Sequence, residues 1–233
     1  MTDATQTVEA MVRGQIARAL GGRRGIVEAA VPTLVFTALM ASAYYLTAQR
    51  VAASAQAEKL RLLAVVLAPT FYDNNLLSDT ITLPPTSALG TTENTLLYRA
   101  RRNGQPTALV FEAIAPDGYS GKISLLLAVS SAGQLLAMRV TQHKETPGLG
   151  DYIDPKKDRN KAHPWINQFS RIDFESVPPE QWHVKKDGGH FDQMAGATIS
   201  ARAVTHASGR ALAWVNKNRD TLFALPANSL YQE

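Results

Sequence analysis

"TLLYRARRNGQPTALVFEAIAP", Thr95–Pro116, decides the fold. Apolar residues recur with a period near two on both sides of Asn103-Gly104-Gln105, the pattern of two strands joined in a hairpin. The next stretch repeats the arrangement. "ISLLLAVSS" (Ile123–Ser131) and "QLLAMRVTQHK" (Gln134–Lys144) meet at a turn around Ala132-Gly133. Four consecutive strands from Leu96 to about His143 read as an antiparallel meander. The fold class is α+β, a twisted, mainly antiparallel sheet with helices covering one face.

Toward the C-terminus, "GLGDYIDPKKDRNKAHP" (Gly148–Pro164) reads as a loop, and a mixed stretch continues to Gly189. A final helix is predicted from about Ser200 to Asn218, with Val204, Ala207, Ala211 and Trp214 on one face. Toward the N-terminus, "LPPTSALGTTEN" (Leu83–Asn94) is turn-rich. Before it, Leu60, Leu63 and Leu67 keep helical spacing until Pro69, which predicts a short stalk helix packed on the domain.

Further upstream, "AAVPTLVFTALMASAYYLTA" (Ala29–Ala48) holds no charged residue. At about 1.5 Å per residue such a helix matches a hydrocarbon core of roughly 30 Å. Pro32 falls in the first turns, and Tyr44 and Tyr45 fall near the far interface. Arg13, Arg18, Arg23 and Arg24 precede the segment, with Glu28 the nearby acid, so the N-terminus is expected in the cytoplasm and the bulk across the membrane. "VAASAQA" (Val51–Ala57) has the small residues of a cleavage site, but the apolar run is longer than a signal peptide's, which favours an uncleaved anchor. The expected organisation is an N-terminal cytoplasmic segment (1–28), a transmembrane helix (29–48), a stalk with a lead-in segment (49–94), a main domain (95–220) and a tail (221–233).

Composition narrows the chemistry. The chain has 233 residues, a net charge of +4 and no cysteine. Disulfides, thiolate-bound zinc, cysteine-ligated iron–sulfur clusters and a thiol nucleophile are excluded. The basic residues are dispersed, and Lys156-Lys157 and Lys185-Lys186 are pairs without interleaved aromatics, so no nucleic-acid surface is expected. Five histidines, His143, His163, His183, His190 and His206, include no i, i+4 pair and read as surface or satisfied side chains, with no metal site expected. No Gly-rich dinucleotide fingerprint is present, so NAD(H) is not expected to bind.

Two hydroxyls stand at the start of the last helix, in "DQMAGATISARAV" (Asp192–Val204). A turn entering a helix offers unpaired N–H groups and partial positive charge, suited to a phosphate. Gly196 and Ala197 permit close approach, Thr198 precedes the helix on an accessible turn, and Ser200 is placed as the N-cap. Spacing alone leaves open a plain Ser-capped helix. Similarly, "ETPGLG" (Glu145–Gly150) is either an ordinary turn or a ligand-facing loop stiffened by Pro147, with Gly148 and Gly150 bringing amides close.

"FDQMAGATISARAV" (Phe191–Val204) resembles the flavinylation motif of the FMN-binding domain family shared by the G subunit of Rnf-type ion-translocating electron transport complexes and the C subunit of sodium-translocating NADH:quinone reductase. "GYSGKISLLLAVSSAGQLLAMRVTQHKETPGLGD" (Gly118–Asp151) is similar to the same family's strand pair and the loop that follows. The resemblance covers essentially the whole chain, most firmly Gly118 to Ala211, and lies nearer the Rnf branch. It implies FMN held covalently by a phosphoester on Thr198, made by a separate flavin transferase from FAD, with Asp192 near the motif read by that enzyme. Gly196, Ala197, Ser200, Glu145, Thr146, Pro147, Gly148 and Leu149 are the implied flavin contacts, and Lys122 and His143 are further candidates for tuning the reduced ring.

Ala195 departs from the family's usual pattern, which has Ser or Thr there. The implied partners are the other membrane and peripheral subunits of the complex. The implied place is a bacterial inner membrane with the domain in the periplasm. The implied role is electron carriage within an ion-translocating oxidoreductase, without turnover by this chain alone. Three other readings compete: the C subunit of sodium-translocating NADH:quinone reductase, an anchored assembly module without flavin, which Ala195 favours, and a hydrolase built from Ser200, His190 and Asp192.

Overall fold

The computed structural model describes residues 11, 13, 34–46 and 54–232. The chain divides into two compact units, Met1–Ala57 and Glu58–Glu233. In the first, residues 34–46 are helical and exposed. Residues 29–33 and 47–48 of the expected span lie outside the described residues, and among the described residues no helix is long and apolar enough to cross a membrane.

The second unit is built on a six-stranded sheet: β1 (Thr80–Leu83), β2 (Thr95–Arg102), β3 (Gln105–Gly118), β4 (Gly121–Ser130), β5 (Leu135–Gln142) and β6 (Ser229–Leu230). Its order is β5-β4-β3-β2-β1-β6, with β1 to β5 paired antiparallel and β6 running parallel to β1. The meander expected from the sequence is β2 to β5. Arg102 pairs with Gln105 across Asn103 and Gly104, whose φ values of 51° and 75° are those a tight hairpin needs at both central positions. The sheet is wider than the strand pattern indicates. β1 comes from the stretch preceding the turn-rich segment and β6 from the stretch read as a tail.

A single long helix, Thr198–Ala224, lies on one face. Leu109, Phe111 and Ala113 of β3 and Leu125, Leu127 and Val129 of β4 pack with Ala201, Val204, Ala207, Ala211 and Leu212 of the helix. The predicted apolar face of Val204, Ala207, Ala211 and Trp214 is buried, as expected. The opposite face of the sheet is covered too, contrary to the one-sided layer anticipated. Leu63, Val66 and Leu67, at the end of the helical stretch 54–64, pack with Leu76 on Ala100, Ala108, Val110, Leu126 and Ala128. This explains the unbroken apolar runs of β3 and β4, because a strand buried on both sides has no polar face to alternate.

The helix runs past the predicted end at Asn218. It stops only at Leu225, which is extended ahead of Pro226. Arg99, 2 % exposed on β2, donates to the terminal carbonyls of Leu222, Phe223 and Leu225 and pairs with Asp79. That fixes one end of the helix to the sheet. The other end forms the candidate site.

Candidate flavin site at the start of the long helix

The turn comes first. Ala197 N–H donates to Met194 O at 3.1 Å, and Gly196 between them has φ +82°, a value that side chains resist and a type II turn requires. The helix then begins at Thr198, with Ala197 as N-cap and no side chain capping it. The expectation that Ser200 caps the helix is therefore corrected. Ser200 is the third helical residue, already within the first turn, and its hydroxyl is buried and points elsewhere.

It points to Glu145. The Ser200 hydroxyl donates to Glu145 Oε2, and the Ser120 N–H donates to Glu145 Oε1 at 3.0 Å. Glu145 is 4 % exposed, so one carboxyl group joins the β3–β4 turn, the loop after β5 and the first turn of the helix. Gly150 lies against the same junction. A Cβ there would fall 2.8 Å from Glu145 Oε2 and still nearer the Ser200 hydroxyl, so only glycine fits.

The loop itself is a tight turn, with Leu149 N–H on Thr146 O at 3.1 Å and Gly148 at φ +77°. Pro147 and Gly148 occupy its two central positions, where their conformational preferences suit it. Neither lines the cavity between this loop and the helix. The Gly148 amide is committed to Asp151 Oδ1 at 2.8 Å, which corrects the expectation that both loop glycines present amides to a ring. Leu149, 51 % exposed, presents an apolar side chain instead.

Between loop and helix lies a cavity of about 220 Å³, bounded by Tyr119, Glu145, Thr146, Leu149 and Gly150 on one side and Gly196 to Ser200 on the other. Thr198 lines it and is 9 % exposed, more enclosed than an acceptor on an open turn. Tyr119, Leu149 and Ile199 leave apolar surface around the opening. Lys122 and His143 are not among the lining residues, although the Glu145 N–H donates to His143 Nδ1 at 3.2 Å. Ser200, His190 and Asp192 do not assemble as a hydrolase would require. Ser200 is bonded to Glu145, Asp192 pairs with Lys185 at 2.7 Å, and His190 packs its ring against Phe191.

A second layer holds the turn. The Tyr152 hydroxyl accepts from the Met194 N–H at 3.1 Å and donates to Ala197 O at 3.3 Å, bracketing Ala195 and Gly196. Burial is the main cause that pushes the Tyr152 phenol up to about 12. The Met194 N–H works against that rise, and the charge of Asp158 adds to it. Trp165 donates its indole N–H to Asp192 O at 2.6 Å, and the Asp192 N–H donates to Gln168 Oε1 at 2.8 Å. Tyr119 and Tyr152 carry no local signal in the sequence, because each reaches the turn only through the tertiary fold.

The residues fit a ligand with an anionic end and a flat apolar body. Four N–H groups of a helix's first turn lack intrahelical partners, and here neither a side-chain cap nor an acid in the first turn competes for them. An FMN-binding domain family matches residues 118–213, which span both halves of the cavity. The G subunit of the ion-translocating oxidoreductase complex of Shewanella baltica (strain OS223) is 40 % identical over 195 residues, covering 84 % of this chain and 90 % of that protein. The G subunit of the same complex in Vibrio cholerae serotype O1 (strain ATCC 39315 / El Tor Inaba N16961) is 40 % identical over 197 residues, covering 84 % and 91 %.

The chain belongs to the Rnf-type G-subunit family. Membership agrees with the resemblance drawn from Gly118–Asp151 and Phe191–Val204. The corresponding G subunit of Vibrio parahaemolyticus serotype O3:K6 (strain RIMD 2210633) is 39 % identical over 192 residues, 82 % of this chain and 88 % of that protein. Within this G-subunit homologue, Ala195, where the family resemblance calls for a hydroxyl, is exposed in the turn.

Proposed function

We propose that this chain is the electron-carrying flavoprotein subunit of an ion-translocating oxidoreductase complex, with FMN esterified through its phosphate to Thr198. The observation that carries the reading is the position of Thr198. It is the first helical residue, it lines the cavity closed by Glu145 and Leu149, and it lies within residues 118–213 that match an FMN-binding domain. When bound, the flavin supplies the redox chemistry, accepting and donating electrons. The protein's own residues position it. The first-turn amides offset the phosphodiester charge by about 0.3–1 kcal/mol. Tyr119, Leu149 and Ile199 give apolar contact to a planar ring, and the Glu145–Ser200 bond holds the loop against the helix. Making the ester removes the Thr198 hydroxyl proton and breaks the pyrophosphate bond of FAD, with AMP leaving, so a flavin transferase is a partner during maturation.

The other partners are the remaining subunits of the complex, and the chain is anchored by residues 29–48 with residues 58–233 in the periplasm. Charge supports that orientation, since the arginines precede the apolar run. Intact-mass spectrometry of the native chain tests the link directly, together with ultraviolet-excited fluorescence of its band on a denaturing gel. Thr198→Ala abolishes both the added mass and the fluorescence, whereas Thr198→Ser keeps the acceptor oxygen and retains part of each. A native chain of bare polypeptide mass, from cells that possess the transferase, leaves the assembly module without flavin as the correct reading.

A further inference from the structure

His183 and His206 stand far apart in sequence and meet in the fold. Nδ1 of His183 lies 3.0 Å from Nε2 of His206, with the rings at 89° and their centroids 5.0 Å apart. Both are half-buried and line a pocket of about 320 Å³, which Trp182, Gly209 and Arg210 also bound. His206 is on the long helix. His183 begins the segment that leads to the flavin turn, a compact loop closed by the bridge between Val184 and Phe191 and by the Lys185 N–H on Phe191 O at 2.7 Å.

Two imidazole nitrogens this close can share one proton, or one metal ion. An ion about 2.0–2.1 Å from each nitrogen, with 3.0 Å between them, would see them at about 94°. That is near the right angle of adjacent ligands in square-planar or octahedral sites. A tetrahedral ion would require the nitrogens to part to roughly 3.3 Å.

We propose that His183 and His206 form a two-histidine site for a divalent late transition-metal ion, with Cu²⁺ held most tightly and water completing its coordination. Imidazole suits these ions, and Cu²⁺ leads their general order of affinity. Among the described residues no third His, Asp or Glu joins the pair, so the ion is exchangeable rather than permanently enclosed. Arg202 and Arg210 oppose a cation at His206, and Asp117 and Asp187 favour one, with Asp187 and Arg202 engaged to each other at 2.6 and 2.8 Å. Burial, then the neighbouring His183, keep His206 below the ordinary imidazole range, so its ring offers a lone pair near neutral pH. A bound ion clamps the loop that leads to the flavin turn onto the helix that follows it, and stabilises the folded state by linkage.

The test uses the purified full chain in detergent, carrying a histidine-free tag, stripped with chelator and titrated with Cu²⁺ and separately with Ni²⁺. Calorimetry and visible d–d absorption read binding, and thermal unfolding reads linkage. One equivalent binds, Cu²⁺ binds more tightly than Ni²⁺, and the melting temperature rises. His183→Gln and His206→Gln each weaken binding roughly tenfold or more, at least the loss that follows removal of an outer-sphere partner. Arg210→Ala provides a variant that leaves both ligands and the core intact, since Arg210 is exposed. At low ionic strength it tightens binding by removing a nearby positive charge. No uptake, uptake in either histidine variant as tight as in the unsubstituted chain, or unchanged affinity in Arg210→Ala overturns the proposal.

Discussion

Removing the Ser200 hydroxyl takes a partner from a carboxyl group that water barely reaches. Glu145 keeps only the Ser120 N–H, and a buried group left short of a hydrogen bond costs about 1–3 kcal/mol. Ser200→Ala therefore lowers the unfolding free energy by that amount, read as a lower urea midpoint at unchanged slope, and amide exchange quickens in the loop Glu145–Gly150. Tyr152→Phe acts on the turn from the other side. It strips the Met194 N–H and Ala197 O of their shared partner, at about 0.5–1.5 kcal/mol for each net bond.

Tyr152 also predicts a dependence on pH. Its phenol ionises near 10 in the unfolded chain and about 12 in the folded one, so the unfolded state releases its proton first. The neutral tyrosine's contribution is whole below pH 10 and is lost as pH climbs from 10 to 12. Over that window wild type loses stability faster than Tyr152→Phe, and a parallel fall in the two denaturation curves would refute the assignment. Thr198, Gly196 and Glu145 come from two short motifs that spacing alone left open and the family resemblance singled out, and the fold brings them to one cavity. Tyr152, Tyr119 and the Ser200–Glu145 bond are not legible in the sequence, since the partners of that bond are 55 residues apart and no spacing rule joins them.

Elements that are long and regular announce themselves, and those that depend on neighbours do not. β2 to β5 carry strand-like apolar runs over 8 to 14 residues, enough to read. β1 has 4 residues and β6 has 2, too few to show alternation, and each becomes a strand by pairing at the edge of a sheet already formed. The apolar pattern ends the long helix more than one turn too early, because nothing before Leu225-Pro226 stops it. Its last turn is held by Arg99 instead of by a capping residue. Arg99→Met leaves Asp79 without its buried partner and removes the donor to three helix carbonyls. Breaking a buried ion pair from one side costs about 3–5 kcal/mol. We expect a loss of that size in equilibrium unfolding, with exchange protection lost first at Leu222 to Leu225. A loss under about 1 kcal/mol would mean that Arg101, which also reaches Asp79 and Phe223 O, carries the end alone.

At the scale of the whole chain the proposed membrane anchor and its orientation make a prediction. Charge and length bear on both. The uncharged run Ala29–Ala48 is long enough to span, and four arginines from Arg13 to Arg24 precede it, which favours an N-terminus retained in the cytoplasm. The proposed covalent link to FMN suits that topology, because outside the cytoplasm a dissociated flavin would be lost. The sequence supplies its own reporter, since it contains no cysteine. A single one introduced anywhere is the only target for a thiol reagent. Asp220→Cys places it on an open face of the long helix, where the side chain is 98 % exposed. Thr5→Cys places it in the N-terminal segment. In intact spheroplasts a membrane-impermeant maleimide labels the first and not the second, and lysis opens the second to labelling. The reverse pattern would put the domain in the cytoplasm, and labelling of both before lysis would mean that residues 29–48 do not hold the chain across the bilayer.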